Sequence, residues 1–143
     1  MEQSLHYGLL AAHILFQKAF WARVLKEYPA LLPGQPKVLD YLMAHESPFQ
    51  REIADGCLIE APTLCQILDK MERNGLICRQ KSSDNKKNTI VILTEAGRNI
   101  GQRLTELFSE MEHLICVGLS PQDLTVLKKS LNQIQANAQE YLK

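Results

Sequence analysis

Three features of the sequence predict a mainly α chain that carries one small β-hairpin. Apolar residues recur at spacings of three and four over most of the length, from Leu5 to Tyr141. Proline or glycine falls at nearly every break in that pattern. Only two short β-prone runs, Leu76–Gln80 and Thr89–Leu93, interrupt the helical register, and the polar tract between them can serve as a hairpin tip.

Leu5–Tyr28 has no proline and one glycine, which gives a long first helix. Its apolar residues (Leu5, Leu9, Leu10, Leu15, Phe16 and Phe20 among them) cover more than a narrow stripe. One small domain rarely buries so wide a face, so a partner subunit is expected. After Pro29, Pro33, Gly34 and Pro36, a second helix runs from Lys37 to His45. Ser47-Pro48-Phe49-Gln50 then reads as a helix start: Ser47 as the cap, Pro48 in the first helical position, Gln50 reaching back as in a capping box. That helix is short and ends near Cys57. Glu60-Ala61-Pro62 opens the next, which turns Leu64, Ile67, Leu68 and Met71 inward and stops at Asn74-Gly75. The hairpin follows. Thr94 caps a helix from Glu95 to about Val117, and Ser120-Pro121-Gln122-Asp123 opens the last, ending near Tyr141.

The net charge is zero, from 16 basic and 16 acidic residues, yet it is unevenly spread. Between Arg73 and Arg103 the basic residues Arg73, Arg79, Lys81, Lys86, Lys87, Arg98 and Arg103 face only Asp84 and Glu95. The excess of five positive charges suits a polyanion or a solvated face, and asymmetry alone does not choose between them. Cys57, Cys78 and Cys116 have apolar neighbours and read as small buried hydrophobes. His113 and Cys116 are two metal-ligand types on one helix, short of the usual four, so no metal is expected. The longest uncharged run, Gln3–Gln17, is too short and polar to span a bilayer and lacks the marks of a secretion signal, which leads to the expectation of a cytoplasmic protein without membrane attachment. There is no nucleophile elbow, phosphate loop or HExxH, so neither an enzyme nor a cofactor is expected.

Two short helices joined by a tight connection, the second followed by a hairpin, make a winged helix-turn-helix. A helix fits the DNA major groove, and a hairpin tip can reach the flanking backbone. On the helix after Pro62, Thr63, Cys65, Gln66, Asp69, Lys70 and Arg73 lie opposite the apolar row. Thr63 and Gln66 are near its N-terminal end, where base edges are met, and Gln can pair with adenine through two hydrogen bonds. Lys86 and Lys87 sit at the hairpin tip, and Gln50 and Arg51 at a helix start suited to a phosphate. Cys65 can touch a thymine methyl or a sugar. The sharper alternative, a thiol that oxidises and releases DNA, would need the lowered pKa that a positive helix end confers.

The run from Gln50 to Gly97 resembles the MarR family of bacterial winged-helix transcription regulators. Met71-Glu72-Arg73-Asn74-Gly75-Leu76-Ile77 and Leu93-Thr94-Glu95-Ala96-Gly97-Arg98 are similar to the family's Leu-Glu-x-x-Gly-Leu-Val and Leu-Thr-x-x-Gly elements. The order and length of the flanking helices agree along the whole chain. The resemblance implies one domain over 1–143, with dimerisation helices at 1–33 and 95–143 around a winged helix-turn-helix at 34–94. It implies a homodimer that binds a pseudo-palindromic double-stranded DNA through Pro62, Thr63, Cys65 and Gln66 in the major groove and the basic tip in the minor groove. It further implies a repressor released by a small phenolic or lipophilic effector, for which His13, Phe16, Phe20, Tyr41 and His45 are candidate crevice residues. Three departures stand out. Asn85, Lys86 and Lys87 replace the usual wing Asp-x-Arg, Cys65 and Gln66 stand where Thr and Arg are common, and Ala61 replaces a capping hydroxyl. The alternative from another class is a winged-helix protein-interaction module without DNA binding.

Overall fold

The computed structural model describes residues 3–84 and 88–143. Six helices and two strands follow in the order α1 (Leu5–Glu27), α2 (Gln35–Ala44), α3 (Gln50–Cys57), α4 (Ala61–Arg73), β1 (Ile77–Lys81), β2 (Thr89–Leu93), α5 (Glu95–Ile115) and α6 (Pro121–Tyr141). The mainly α architecture with a two-stranded wing is the one the sequence predicts. Two compact units divide the chain, Met1–Met111 and Glu112–Lys143. Among the described residues, no helix is long and apolar enough to cross a membrane.

The first unit holds the core. Val24 of α1, Val38 and Leu39 of α2, Ile53 of α3, Leu64, Leu68 and Met71 of α4, Ile77, Val91, and Leu104 and Leu107 of α5 are all buried. Each helix offers one apolar stripe to a shared centre, which is why short helices such as α3 hold without strong intrinsic stability. α1 differs. It buries only Phe20 and Val24, and its N-terminal half leaves Leu5 and Leu15 about two-thirds exposed, at 66% and 64%. At the entrance to α2, Gly34 has φ +87°, and a Cβ there would press on the Ile67 side chain of α4. The left-handed conformation is what favours glycine at that position.

The start of α3 departs from the expectation. Ser47 is left-handed (φ +46°) and Pro48 precedes the helix; the cap is Phe49. The Pro48 carbonyl accepts the Val91 N–H at 3.0 Å, and Phe49 bridges to Ile90. The Ser-Pro-Phe segment is thus engaged as a short edge against β2 and cannot also be helical. The reach-back is made by Glu52, whose carboxylate accepts the Phe49 N–H at 3.1 Å, and not by Gln50. α4 likewise begins one residue from the expected cap. Glu60 is the cap residue with no side-chain capping bond, and Ala61 and Pro62 occupy the first two helical positions. Pro62 lacks an N–H, so one fewer orphan donor needs a partner at that end.

β1 and β2 pair antiparallel, Ile77 opposite Leu93, Arg79 opposite Val91 and Lys81 opposite Thr89, and the Ser82 N–H extends the ladder to the Asn88 carbonyl at 2.9 Å. At the base of the wing, Thr94 accepts the Gly97 N–H and donates its hydroxyl to the Gly75 carbonyl. A Cβ on Gly97 would overlap the Leu76 carbonyl oxygen, so the Leu-Thr-x-x-Gly element is a close backbone crossing. Cys57 is buried as expected, whereas Cys78 and Cys116 are only half-buried, because a two-stranded sheet and a helix end leave one side of each open.

The second unit contains the end of α5 and α6. Gly118 turns the chain left-handed at φ +93°. Ser120 and Asp123 then form a reciprocal cap, the Asp123 N–H donating to Ser120 Oγ at 3.0 Å and the Ser120 N–H to Asp123 Oδ2 at 2.9 Å. α6 has no buried residue.

Candidate nucleic-acid interface

The geometry of α4 follows from its sequence. Leu64, Leu68 and Met71 hold its back against the core, which leaves Thr63, Cys65, Gln66, Lys70 and Arg73 exposed. Pro62 is also exposed, at the N-terminal end of the same helix. The wing rises beside this face. A cleft of about 390 Å³ separates them, lined by Gln50, Cys65, Arg79, Gln80, Lys81 and Thr89. A second, of about 310 Å³, opens between the starts of α3 and α4 and the wing, with Gln50, Arg51, Ala61 and Asn88 among its lining residues. Gln50 belongs to both and is half-buried. Arg51 is exposed, its guanidinium 5.8 Å from the Phe49 ring centre, a stacking distance that limits where the charge can swing. Lys86 and Lys87 lie outside the described residues.

The basic excess is smaller in space than in sequence. Arg79 of β1 is spent internally: its Nη2 donates to Asp69 Oδ1 at 2.6 Å and to Glu72 Oε1 at 3.0 Å, its Nε to Glu72 Oε1 at 3.2 Å. Its backbone N–H also donates to Glu72 Oε2 at 2.9 Å. The Arg79 guanidinium, with that N–H, holds the Glu72 carboxyl below the usual carboxylate range. Arg103 is similarly engaged, with Glu27, Glu106 and Glu110. Lys81 donates to Thr89 Oγ1 at 3.4 Å across the wing and stays exposed. Arg79 was legible only as one basic residue among seven; its partners sit seven and ten residues upstream, on a different element.

The candidate effector residues do not form one lining. Phe20 is buried and stacks on Phe108 of α5 at 3.9 Å between ring centres, with Phe16 stacked on Phe20 at 6.1 Å. Tyr41 and His45 stack on each other at 3.9 Å, and Tyr41 lies over Gly56 of α3. One pair thus packs between α1 and α5, the other against α3. His13 is exposed on α1. Burial raises the Tyr41 hydroxyl pKa above its ordinary value. His45 is exposed too and Phe16 and Tyr41 are half-buried, so helical spacing settles neither which of these rings face inward nor which neighbour each meets.

The sequence profile of the MarR family matches residues 31–89, the stretch that contains α2, α3, α4, β1 and the start of β2. A crystal structure of a MepR–DNA complex from S. aureus is 26% identical, covers 96% of this chain and 99% of its own, and superposes with a TM-score of 0.82. The transcriptional repressor CouR bound to a 23-mer DNA duplex is 28% identical over 92% of each chain, with a TM-score of 0.79. The chain thus carries a MarR-type winged-helix segment at residues 31–89 within a fold like that of these regulators. The transcriptional regulator SlyA shares the fold at 23% identity, with a TM-score of 0.82 over 94% of this chain and 99% of its own. As in the MarR winged helix, α3 and α4 form the helix-turn-helix and β1–β2 the wing.

Proposed function

We propose that the protein is a DNA-binding transcription regulator, a repressor that grips a pseudo-palindromic duplex as a homodimer. The observation that carries this reading is the two-sided character of α4: one face is buried to the last atom at Leu68 and Met71, while Thr63, Cys65 and Gln66 stand free beside a two-stranded wing. A rod held only from behind, with polar side chains near its N-terminal end, can enter a major groove without disturbing the core. The MarR family match over residues 31–89 and the likeness to the DNA complexes of MepR and CouR support it.

In this reading Gln66 and Thr63 meet base edges, with Cys65 and Pro62 against sugar or methyl groups. Gln50, Arg51 and Lys70 meet phosphates, and Lys86 and Lys87 carry the wing tip to the minor groove. Residues 1–33 and 95–143 build the dimer around the winged segment 34–94, and the exposed apolar side chains of α1 support that division. Two-fold symmetry then sets half-sites about 34–36 Å apart. Release by a small phenolic or lipophilic effector rests on the family resemblance. The cytoplasm is the compartment where such a regulator works, and no catalytic role is assigned.

Selection of bound duplexes from a random pool, followed by gel shift at several salt concentrations, tests the reading. The expected result is an inverted repeat whose affinity falls linearly with log salt. Changing Lys86 and Lys87 to Ala weakens binding on all sequences, while Gln66→Ala relaxes preference at one base pair by about 1–3 kcal/mol. No enriched sequence and no salt-sensitive shift would favour the protein-interaction module, to which the internal neutralisation of Arg79 lends some weight.

A further inference from the structure

We propose that Arg79, Asp69 and Glu72 act together as a positioning bridge that fixes the wing at a set angle on α4, so that both elements engage one duplex at once. The inference rests on the DNA-binding reading above and concerns how the two DNA-facing elements are held in register.

Ile77 and Val91 bury the base of the wing in the core, and the outer part of the hairpin has few further ties. A two-stranded hairpin is marginal on its own in water. On the β2 side it leans on the Pro48–Phe49 segment through the Val91 N–H and the Ile90 bridge. At its base the Thr94 N–H donates to the Leu76 carbonyl at 3.1 Å. On the α4 side, the direct polar connection described is the Arg79 bridge, two residues short of the end of β1. A planar guanidinium with three hydrogen bonds to two carboxylates resists rotation in a way a single contact does not. The second oxygen of Glu72 takes the Arg79 N–H, so side chain and backbone of the strand are tied to one helix residue.

The bridge also lies where DNA would come. Asp69 is three and four residues beyond Gln66 and Cys65, hence on the same face of α4, and Arg79 and Cys65 line one cleft. A carboxylate at such a place ordinarily opposes a phosphate backbone, and deleting it ordinarily tightens binding. Two carboxylates there make sense if the placement they enforce outweighs their repulsion. Arg79, engaged by them through Nε and Nη2, is a positioning residue in this reading and no phosphate contact.

The sign of one double variant decides. Asp69→Ala with Glu72→Ala makes the chain more positive by two charges at the proposed interface. A purely electrostatic role predicts equal or tighter binding to the selected duplex. The bridge predicts weaker binding, by about tenfold or more, together with faster hydrogen exchange at the amides of β1 and β2 in the free protein. Equal or tighter binding by a folded double variant overturns the proposal. Arg79→Lys is the second variant, since it keeps the charge and loses the fork: it should bind more weakly than the native protein and exchange faster in the wing. Native-level binding by Arg79→Lys overturns the proposal as well. If the native protein itself selects no duplex, the regulator reading fails, and the exchange rates alone judge the bridge. Faster wing exchange in both variants then supports the anchoring, and unchanged exchange overturns it.

Discussion

α4 and α6 carry the same kind of pattern and meet opposite fates. On α4 the apolar row Leu64, Leu68 and Met71 is buried against α2, α3 and the wing base. On α6, Leu124, Leu127, Leu131, Ile134 and Ala138 alternate by three and four, the spacing of a coiled-coil seam, yet none of them is buried. Periodicity specifies that a helix has an apolar face; it does not specify what covers that face. Within the first unit the covering is supplied by the chain itself, and the winged segment closes its own core. Along α6, and along the N-terminal half of α1, it is not. The proposed homodimer gives those faces their counterpart.

The sharpest way to break this contrast is to delete the same side chain from both rows. Leu68→Ala leaves a cavity in a fully buried site and should cost about 2–5 kcal/mol in urea unfolding. The midpoint should fall by a similar amount at every protein concentration. Leu127→Ala should behave differently. In an isolated chain a half-exposed leucine changes stability by roughly 0.5 kcal/mol or less. In a dimer the loss is largest at high protein concentration, where association stabilises the fold, and shrinks as protein is diluted into monomers. A concentration-independent loss as large as that of Leu68→Ala would show that α6 is buried within its own subunit, and the contrast would fail.

Gly97→Ala probes the join between the wing and α5 and should have the next largest effect. The added methyl meets the Leu76 carbonyl oxygen, which is backbone and cannot swing aside. Overpacking of this kind costs about 1–3 kcal/mol. Thermal unfolding measures it, and a neutral result would mean that the crossing relaxes more readily than its hydrogen bonds suggest.

What could be read in the sequence divides along the same line. The helices, the hairpin and the buried row of α4 were legible because each is a local pattern: spacing, a cap, a proline. Ser120-Pro121 was read correctly as a helix start. Ser47-Pro48 has the same local chemistry and was misread, because a strand forty residues downstream claims its backbone. Arg79 is the same lesson at the candidate site, since its role is set by two carboxylates on α4. Of the five residues proposed for an effector crevice Phe20 alone is buried and His13 and His45 are exposed, and the pairing into Phe20–Phe108 and Tyr41–His45 depends on how helices cross. Gln66 and Thr63 were legible as exposed because a residue opposite an apolar row has few other places to go.

The smallest expected effect concerns the covered half of α1. Glu27, near its C-terminal end, accepts two hydrogen bonds from Arg103 of α5, at 2.9 and 2.8 Å, and one from Arg23 at 2.8 Å. The Arg103 bonds above all hold its carboxyl down at about 2, against an opposing contribution from burial, with Arg23 adding a smaller lowering. The folded-state pKa lies below the unfolded value of 4.5, so protons bind the unfolded chain first as pH falls. The stabilisation is therefore complete above that unfolded value and is lost as the pH drops from about 4.5 towards about 2. Arg103 keeps its charge throughout that range. Because the cluster is largely solvated, screening leaves the effect small. Glu27→Gln should therefore be slightly less stable than the native protein near neutrality, and the gap should close on acidification and narrow with added salt. Hydrogen exchange should rise around Val24 and Glu27 and stay unchanged near Leu9 and Leu10, more than three helical turns away along α1. A gap that stays constant with pH would mean the Glu27–Arg103 pair is not formed in solution, and the distinction between the two halves of α1 would then rest on Phe20 and Val24 alone.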